Sequence, residues 1–307
     1  MNSYFSHGKL LITGEYVVLD NALSLALPTK FGQKLEVDED LDSEHCRVSW
    51  QSFDSQGELW FSETYIIGSD TLGKLRPENF DACNINPVNE KLLEILNKAK
   101  ELNPAFLSQG SFEVRSTMDF PNNWGLGSSS TLICNIAKWA EVDAFQLSAA
   151  SFGGSGYDIA VGMLGGDILY RNPEMWEGYV YNPSFRKQLY FVHLNKKQNS
   201  REGIQAYRGK PKNEEIINRI SRITEELIAC SDFNAFQLLI TEHEKRIGEC
   251  IGQETIKNKL FSDYPFAIKS LGAWGGDFIL ACGDDNTESY FNSKGYPTVL
   301  TFNEMIK

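Results

Sequence analysis

Three glycine-rich segments recur across nearly the whole chain, and each requires the backbone to turn tightly or to approach a neighbour closely. In chain order they are Ser6-His7-Gly8-Lys9-Leu10-Leu11-Ile12-Thr13-Gly14-Glu15-Tyr16, then Pro121-Asn122-Asn123-Trp124-Gly125-Leu126-Gly127-Ser128-Ser129-Ser130, then Gly272-Ala273-Trp274-Gly275-Gly276-Asp277. Between the second and third lies Gly153-Gly154-Ser155-Gly156-Tyr157-Asp158-Ile159-Ala160, which adds an acidic residue to a tight turn. Any one of these is compatible with an ordinary loop. Together they supply a lysine, a serine-bearing loop suited to phosphate and a carboxylate, which is the set that phosphoryl transfer to a small molecule needs.

Composition narrows the class. A chain of 307 residues has room for two domains, and 42% apolar with 23% charged residues is ordinary for a globular protein. The formal net charge of −12 argues against a nucleic-acid-binding surface, which shows basic clustering. An anionic substrate stays compatible, because a few lysines and backbone amides bind phosphate inside an acidic protein. The six cysteines, Cys46, Cys83, Cys134, Cys230, Cys250 and Cys282, form no CxxC pair. Without a secretory segment they read as reduced thiols. The histidines His7, His45, His193 and His243 lack metal-ligand spacing, so no zinc site is expected. No apolar run approaches the ~18 residues of a membrane helix. The expectation is a cytoplasmic protein with a small-molecule substrate, no nucleic-acid or membrane partner, and a homodimer as the assembly left open.

Hydrophobic periodicity places the segments on elements. Leu10-Leu11-Ile12 and, after a break at Gly14, Tyr16-Val17-Val18-Leu19 read as two strands, with Asp20-Asn21 as a turn. Residues 35–37, 46–50 and 59–61 continue an antiparallel pattern, and 89–102 has helical spacing. Residues 111–116 alternate as a strand leading into the second glycine segment, and 128–139 reads as a helix leaving it. A short helix to residue 163 and a strand over 167–170 follow. The stretch 171–183, rich in Asn, Pro, Gly and aromatic residues, is the best boundary. Beyond it come a strand at 189–194, helices at 213–229 and 233–251, and strands at 278–282 and 298–302. Strands and helices mixed in both halves predict two α+β domains, over 1–180 and 181–307.

The second segment is the most specific. Gly125-Leu126-Gly127-Ser128-Ser129-Ser130 runs from a strand directly into a helix, where glycines expose successive N–H groups and the helix start favours anions. Hydroxyls of Ser128, Ser129 and Ser130 can bind phosphate oxygens, and one can ligate Mg²⁺; a serine N-cap after a turn is the plain alternative. No GxxxxGK[ST] motif occurs, and Ser130 stands where a GxGxxG motif needs its last glycine. Lys9 at a strand start can reach a phosphate or remain a solvated lysine, and Glu15 can be its ion partner. Asp158, with Ser155 and Gly156 before it, can take an acceptor's proton or cap a helix. Gly272, Ala273, Gly275 and Gly276 form a close-packed turn, with Lys269 just before it as added positive charge. Lys196-Lys197-Gln198-Asn199-Ser200-Arg201 puts three cations beside a strand end, most simply as a solvated loop.

In order and spacing these segments resemble the GHMP kinase superfamily over almost the full chain. Within it, Gly14-Glu15-Tyr16, Gly154-Ser155-Gly156-Tyr157-Asp158 and Gly272-Ala273-Trp274-Gly275-Gly276-Asp277 are most similar to the mevalonate-pathway members, phosphomevalonate kinases first and mevalonate kinases next. Gly156-Tyr157-Asp158-Ile159-Ala160 is also similar to a bacterial GHMP subgroup named after that string. The resemblance implies an N-terminal domain like ribosomal protein S5 domain 2 and a ferredoxin-like C-terminal domain, with the site between them. It implies that Gly125, Leu126, Gly127, Ser128, Ser129 and Ser130 wrap the ATP triphosphate. Ser129 then ligates Mg²⁺, Asp158 is the catalytic aspartate, and Lys9 polarises the acceptor or steadies the transferring phosphate. Glu15, Ser155, Gly156, Gly272, Ala273, Gly275 and Gly276 fall in the substrate and phosphate vicinity.

The chain makes four departures from the family pattern. Ser6-His7 replaces Ala-Pro, Asn123 replaces a glycine, and Trp274 replaces a glycine where it would narrow the pocket. Leu147 stands where mevalonate kinases carry a Mg²⁺-binding glutamate, eleven residues before Asp158. Phosphomevalonate kinases tend to lack that glutamate, so the expected acceptor is phosphomevalonate or mevalonate. The alternatives are a kinase for another small alcohol such as a sugar or homoserine, a diphosphomevalonate decarboxylase relative, and a nucleotide-binding protein without catalysis.

Overall fold

The computed structural model describes residues 1–68, 74–78, 86–198 and 200–307. Cys83, Asn199 and the side chain of Arg201 lie outside them. The chain divides into two units, the first made of Met1–Gly8, Phe31–Asn122 and Gly127–Met163, the second of Lys9–Lys30, Asn123–Leu126 and Leu164–Lys307.

In the first unit, β-branched and aromatic residues alternating with polar ones give strands that bury one face. The first part of strand β1 (Asn2–Leu11), up to Gly8, and the second half of β2 (Ser24–Asp40) belong here, with β3 (Arg47–Phe53), β4 (Leu59–Ile67), β5 (Leu75–Pro77) and β6 (Ser111–Met118). β6 pairs antiparallel with β2 from Gln33↔Met118 to Asp40↔Ser111, and parallel with β3. Helix α1 (Pro87–Leu102) starts at the Asn86 cap, whose side chain accepts from the Val88 N–H at 3.0 Å. Helices α2 (Ser128–Ala140), α3 (Ala144–Ser151) and α4 (Tyr157–Leu164) follow. One core joins sheet and helices through Val37, Trp50, Tyr65, Leu96, Ile133 and Leu147. Polar groups fix α2 within it. Thr131 Oγ1 donates to Gln33 Oε1 at 2.7 Å, Asn135 Nδ2 donates to the Gln33 carbonyl at 2.8 Å, and Ser6 Oγ donates to Asn135 Oδ1 at 2.9 Å. Each buried bond contributes about 1 kcal/mol, and losing one partner costs more.

The second unit carries β7 (Ile168–Asn172) and β8 (Met175–Gly178), a hairpin whose β7 pairs with Ser24–Ala26 of β2. The stretch 171–183 is therefore partly strand. Next come β9 (Leu189–His193), α5 (Ser200–Arg208), α6 (Glu214–Ile228), α7 (Phe233–Ile251), β10 (Ile268–Ser270), β11 (Phe278–Cys282) and β12 (Val299–Thr301). Their sheet has the order β10-β11-β9-β12, antiparallel throughout. With α6 and α7 between β9 and β10, that is the ferredoxin-like arrangement the sequence resemblance implied.

One expected strand is absent. Val17–Asp20 forms a 3₁₀ turn, and Tyr16 before it has φ +63°. Local bonds replace a ladder there: Val18 N–H donates to the Gly14 carbonyl and Leu19 N–H to that of Tyr16, both at 2.9 Å. Tyr16 and Val17 are buried against Ile217 and Ile220 of α6 and Ile247 of α7. The apolar run served a core rather than a sheet. Among the described residues, no helix is long and apolar enough to cross a membrane, and the five described cysteines are free.

Candidate functional site

Helix α2 begins without a side-chain cap. Its N-cap is Gly127 at φ +92°, a conformation that glycine adopts at little cost. None of the serines caps, because all three lie inside the first turn. Ser130 is buried and donates back to the Gly127 carbonyl at 2.9 Å, while Ser128 is half-buried and Ser129 exposed. The first amides of an uncapped helix have no intrahelical acceptor, and the dipole adds positive potential. The result is an uncapped helix start with positive potential, beside the half-buried Ser128 and exposed Ser129 hydroxyls.

In the same unit Asp158 stands in the first turn of α4, half-buried, with Oδ1 accepting its own Ile159 N–H at 3.1 Å. That bond leaves acceptor capacity on the carboxylate. α4 lies close against α2: a Cβ on Gly162 would sit 2.7 Å from Cys134 Sγ, and the thiol donates to the Ile159 carbonyl at 3.7 Å. Burial and the nearby Asp158 charge push the Cys134 thiol up to about 12. Asp158 thus lies alongside the second turn of the helix that opens with the serines. Gly156, at φ +87°, accepts the Ala160 N–H at 3.0 Å, and Ser155 beside it is half-buried.

In the second unit three segments meet at Gly125. Lys9 N–H donates to the Leu126 carbonyl at 2.9 Å, and Lys9 Nζ donates to the Gly125 carbonyl at 3.2 Å. Gly125 has φ +66°, and a Cβ there would overlap the Asp277 carboxylate, 2.8 Å from Oδ1. A side chain at 125 is excluded by backbone and neighbour alike. Behind this contact, His193 bonds through Nε2 to the Asn123 carbonyl at 3.0 Å, and Trp124 packs edge-on to Phe278 at 5.3 Å. The Asn123 position is thereby held through its carbonyl. Lys9, Gly125 and Leu126 are together in space; Asp277 and His193 join them and were not singled out from the sequence. The Gly-Gly-Asp string was the available signal for Asp277.

Glu15 is not the partner of Lys9. It is 1% exposed and pairs with Lys269, itself fully buried, so Lys269 is committed to a core ion pair rather than to a phosphate. His243 Nε2 accepts the Gly14 N–H at 2.9 Å and lies 3.5 Å from Glu15 Oε2. Glu244, also buried, accepts from the N–H and hydroxyl of Ser270 at 2.9 Å each and from the Ile256 N–H at 3.2 Å. Among the described residues, Glu15 Oε2 and His243 Nδ1 have no hydrogen-bond partner. Burial raises the Glu15 carboxyl to about 7 against the pull of Lys269, raises Glu244, and holds His243 well below its usual range. The network ties the first glycine segment to α7 and β10.

The remaining departures have structural reasons. Ser6 spends its hydroxyl on Asn135 of α2. Trp274 is 2% exposed and packs in the core with Tyr16 and Ile247, while its backbone N–H donates to the Tyr16 hydroxyl at 3.2 Å; it fills core space instead of narrowing a pocket. Leu147 is fully buried among apolar residues, where an ionised glutamate would be uncompensated. Gly272 and Gly275 turn at φ +62° and +88° on either side of buried Ala273 and Trp274. Gly276 packs so closely on the segment after β9 that a Cβ would sit 2.7 Å from the Lys196 carbonyl.

No family model and no curated protein matches the chain by sequence. Solved structures do match in three dimensions. The chain is similar to the mevalonate kinase of Methanococcus jannaschii, with a TM-score of 0.69 at 15% identity, over 97% of this chain and 96% of that one. It is similar to the Streptococcus pneumoniae phosphomevalonate kinase in complex with phosphomevalonate and AMPPNP, with a TM-score of 0.65 at 15% identity, over 96% of each chain. It is also similar to the Lactococcus lactis galactokinase complexed with galactose, with a TM-score of 0.67 at 15% identity, over 97% of this chain and 92% of that one. The chain has the α+β fold of the GHMP kinases, as its glycine segments led us to expect.

Proposed function

We propose that this chain is an ATP- and Mg²⁺-dependent kinase that transfers the γ-phosphate to a mevalonate-pathway acceptor, phosphomevalonate or mevalonate. The observation that supports it most strongly is the uncapped start of α2 at Gly127, with Ser128 and Ser129 accessible. A helix start with outward amides and hydroxyls fits a triphosphate. Among the described residues no group of three or more acidic, histidine or cysteine side chains is built to hold a metal. Mg²⁺ commonly takes few protein ligands and many phosphate oxygens, and Ser129 would supply one hydroxyl. The bound metal would neutralise phosphate charge.

The chain's own groups would do the rest. Lys9 would steady the transferring phosphate. Asp158 would accept the proton of a hydroxyl acceptor or, with a phosphate acceptor, mainly orient it. The buried Leu147 in place of a carboxylate, with the Gly14-Glu15-Tyr16 and Gly272–Asp277 strings, favours phosphomevalonate within that pair. The equally good fold match to a galactokinase keeps another small alcohol as the second reading.

Calorimetric titration with MgAMPPNP tests the nucleotide half of this reading. One site is expected, weakened roughly tenfold or more by Lys9→Ala, the value of one charge-assisted hydrogen bond. Ser129→Ala is expected to weaken binding only when Mg²⁺ is present. A wild-type protein that takes up no MgAMPPNP would overturn it.

A further inference from the structure

Asp277 has a geometry that no loop requirement explains. It is 8% exposed, its backbone is left-handed at φ +52°, and it immediately precedes β11 at the end of the third glycine segment. A non-glycine residue in that region is held there by its surroundings. Here the surroundings are bonds at both ends. Its N–H donates to the Lys196 carbonyl at 2.7 Å, its carbonyl accepts the Leu194 N–H at 2.8 Å, and Oδ1 accepts the Gln198 N–H at 3.1 Å. The carboxylate is thereby aimed at the Cα of Gly125, whose carbonyl receives the Lys9 ammonium.

Resting on the kinase reading above, we propose that Asp277 is a positioning residue that holds Lys9 and the Gly125 turn in the geometry phosphate binding needs. Its fixed negative charge keeps the Lys9 side chain drawn along the Gly125 carbonyl, so that a long, flexible ammonium is oriented before nucleotide arrives. Its bulk occupies the space that a side chain at 125 would fill, which pins the turn. Preorganising a cation in this way removes a rearrangement from the binding and transfer steps. The groups facing the carboxylate are Lys9 from β1, His193 from β9 and Lys197 from the segment after β9. All three favour its ionised form, while burial, the larger effect, opposes it.

The test separates charge from shape. Asp277→Asn keeps an oxygen for the Gln198 N–H and the contact with Gly125 but removes the charge; Lys9→Met removes the other charge at similar length. Carbonyl-¹³C NMR titration of the Asp277 carboxyl, assigned by its loss in Asp277→Asn, is expected to move to higher pH in Lys9→Met. A purely structural aspartate would titrate identically in both proteins, and that result would overturn the proposal. In MgAMPPNP titrations the double variant is expected to bind no worse than the weaker single variant; independent, multiplying losses would overturn it equally. If wild type bound no MgAMPPNP, the kinase reading would fall, and the carboxyl titration would still decide whether Asp277 and Lys9 are coupled.

Discussion

Asp158→Ala is expected to lower acceptor-dependent ADP release by about 10²–10⁴-fold with a hydroxyl acceptor, the range for losing a positioned general base. MgAMPPNP affinity is expected to stay within about twofold of wild type, because the uncapped α2 start and Lys9 are untouched. The fold has little at stake in this side chain, which accepts the N–H of the adjacent Ile159. Thermal unfolding therefore shifts by no more than a surface cap would give, about 1 kcal/mol. With a phosphate acceptor the loss in rate is smaller, since an ionised phosphate has no proton to surrender. The size of the defect thus reports the acceptor class as well as the role. An Asp158→Ala protein with full turnover would remove the aspartate from the chemistry.

Lys269→Met is expected to carry the largest stability cost. Removing one member of a buried ion pair leaves the other charge uncompensated, worth about 3–5 kcal/mol. The cost depends on pH in a definite direction. The Glu15 carboxyl is raised by burial to about 7 in the folded protein. A raised carboxyl favours the fold fully below its unfolded value, and that contribution is lost as pH rises through about 7. Below pH 5 Glu15 carries its proton and needs no cation, so Lys269→Met is nearly tolerated. At pH 8 Glu15, freed of the pull of Lys269, must either ionise without a partner or hold its proton well above its unfolded range, and the penalty appears. Glu15→Gln, which imitates the protonated form, is expected to gain on wild type over the same interval. Chemical denaturation of the three proteins at pH 5 and pH 8 measures both effects. A Lys269→Met cost that was equal at the two pH values would contradict this account of the cluster.

The sequence disclosed elements where local chemistry acts alone. Helix α2 was readable because glycines stop the strand before it and an apolar stripe runs from Ile133 to Ala137. The serine loop is legible from the same kind of signal, whereas the ferredoxin-like arrangement was implied by the family resemblance, with which the strand and helix pattern is compatible. What failed depended on partners distant in the chain. Tyr16-Val17-Val18-Leu19 has strand composition, yet Gly14 turns the chain and Tyr16 enters a core with α6 and α7. Lys269 looked like spare positive charge because its partner, Glu15, is 254 residues away. Trp274 looked like an obstruction for the same reason, its space being provided by Gly248 of α7, where a Cβ would lie 3.3 Å from the ring. Asp277 is not legible in the sequence, because nothing in a Gly-Gly-Asp string reveals a carboxylate aimed at Gly125. The roles of Lys9, Ser129 and Asp158 rest on resemblance and local geometry together.

The most direct measurement is ADP release with Mg²⁺-ATP against mevalonate, phosphomevalonate, diphosphomevalonate, homoserine and galactose, with CO₂ followed in parallel. The account predicts acceptor-dependent ADP release with phosphomevalonate or mevalonate, no CO₂, and a new phosphate ester or diphosphate in the ³¹P spectrum. Release with galactose or homoserine alone would keep the kinase and replace its acceptor, and CO₂ from diphosphomevalonate would make it a decarboxylase. Nucleotide binding without transfer to any of the five would contradict the central claim that this chain moves a phosphoryl group to a mevalonate-pathway acceptor.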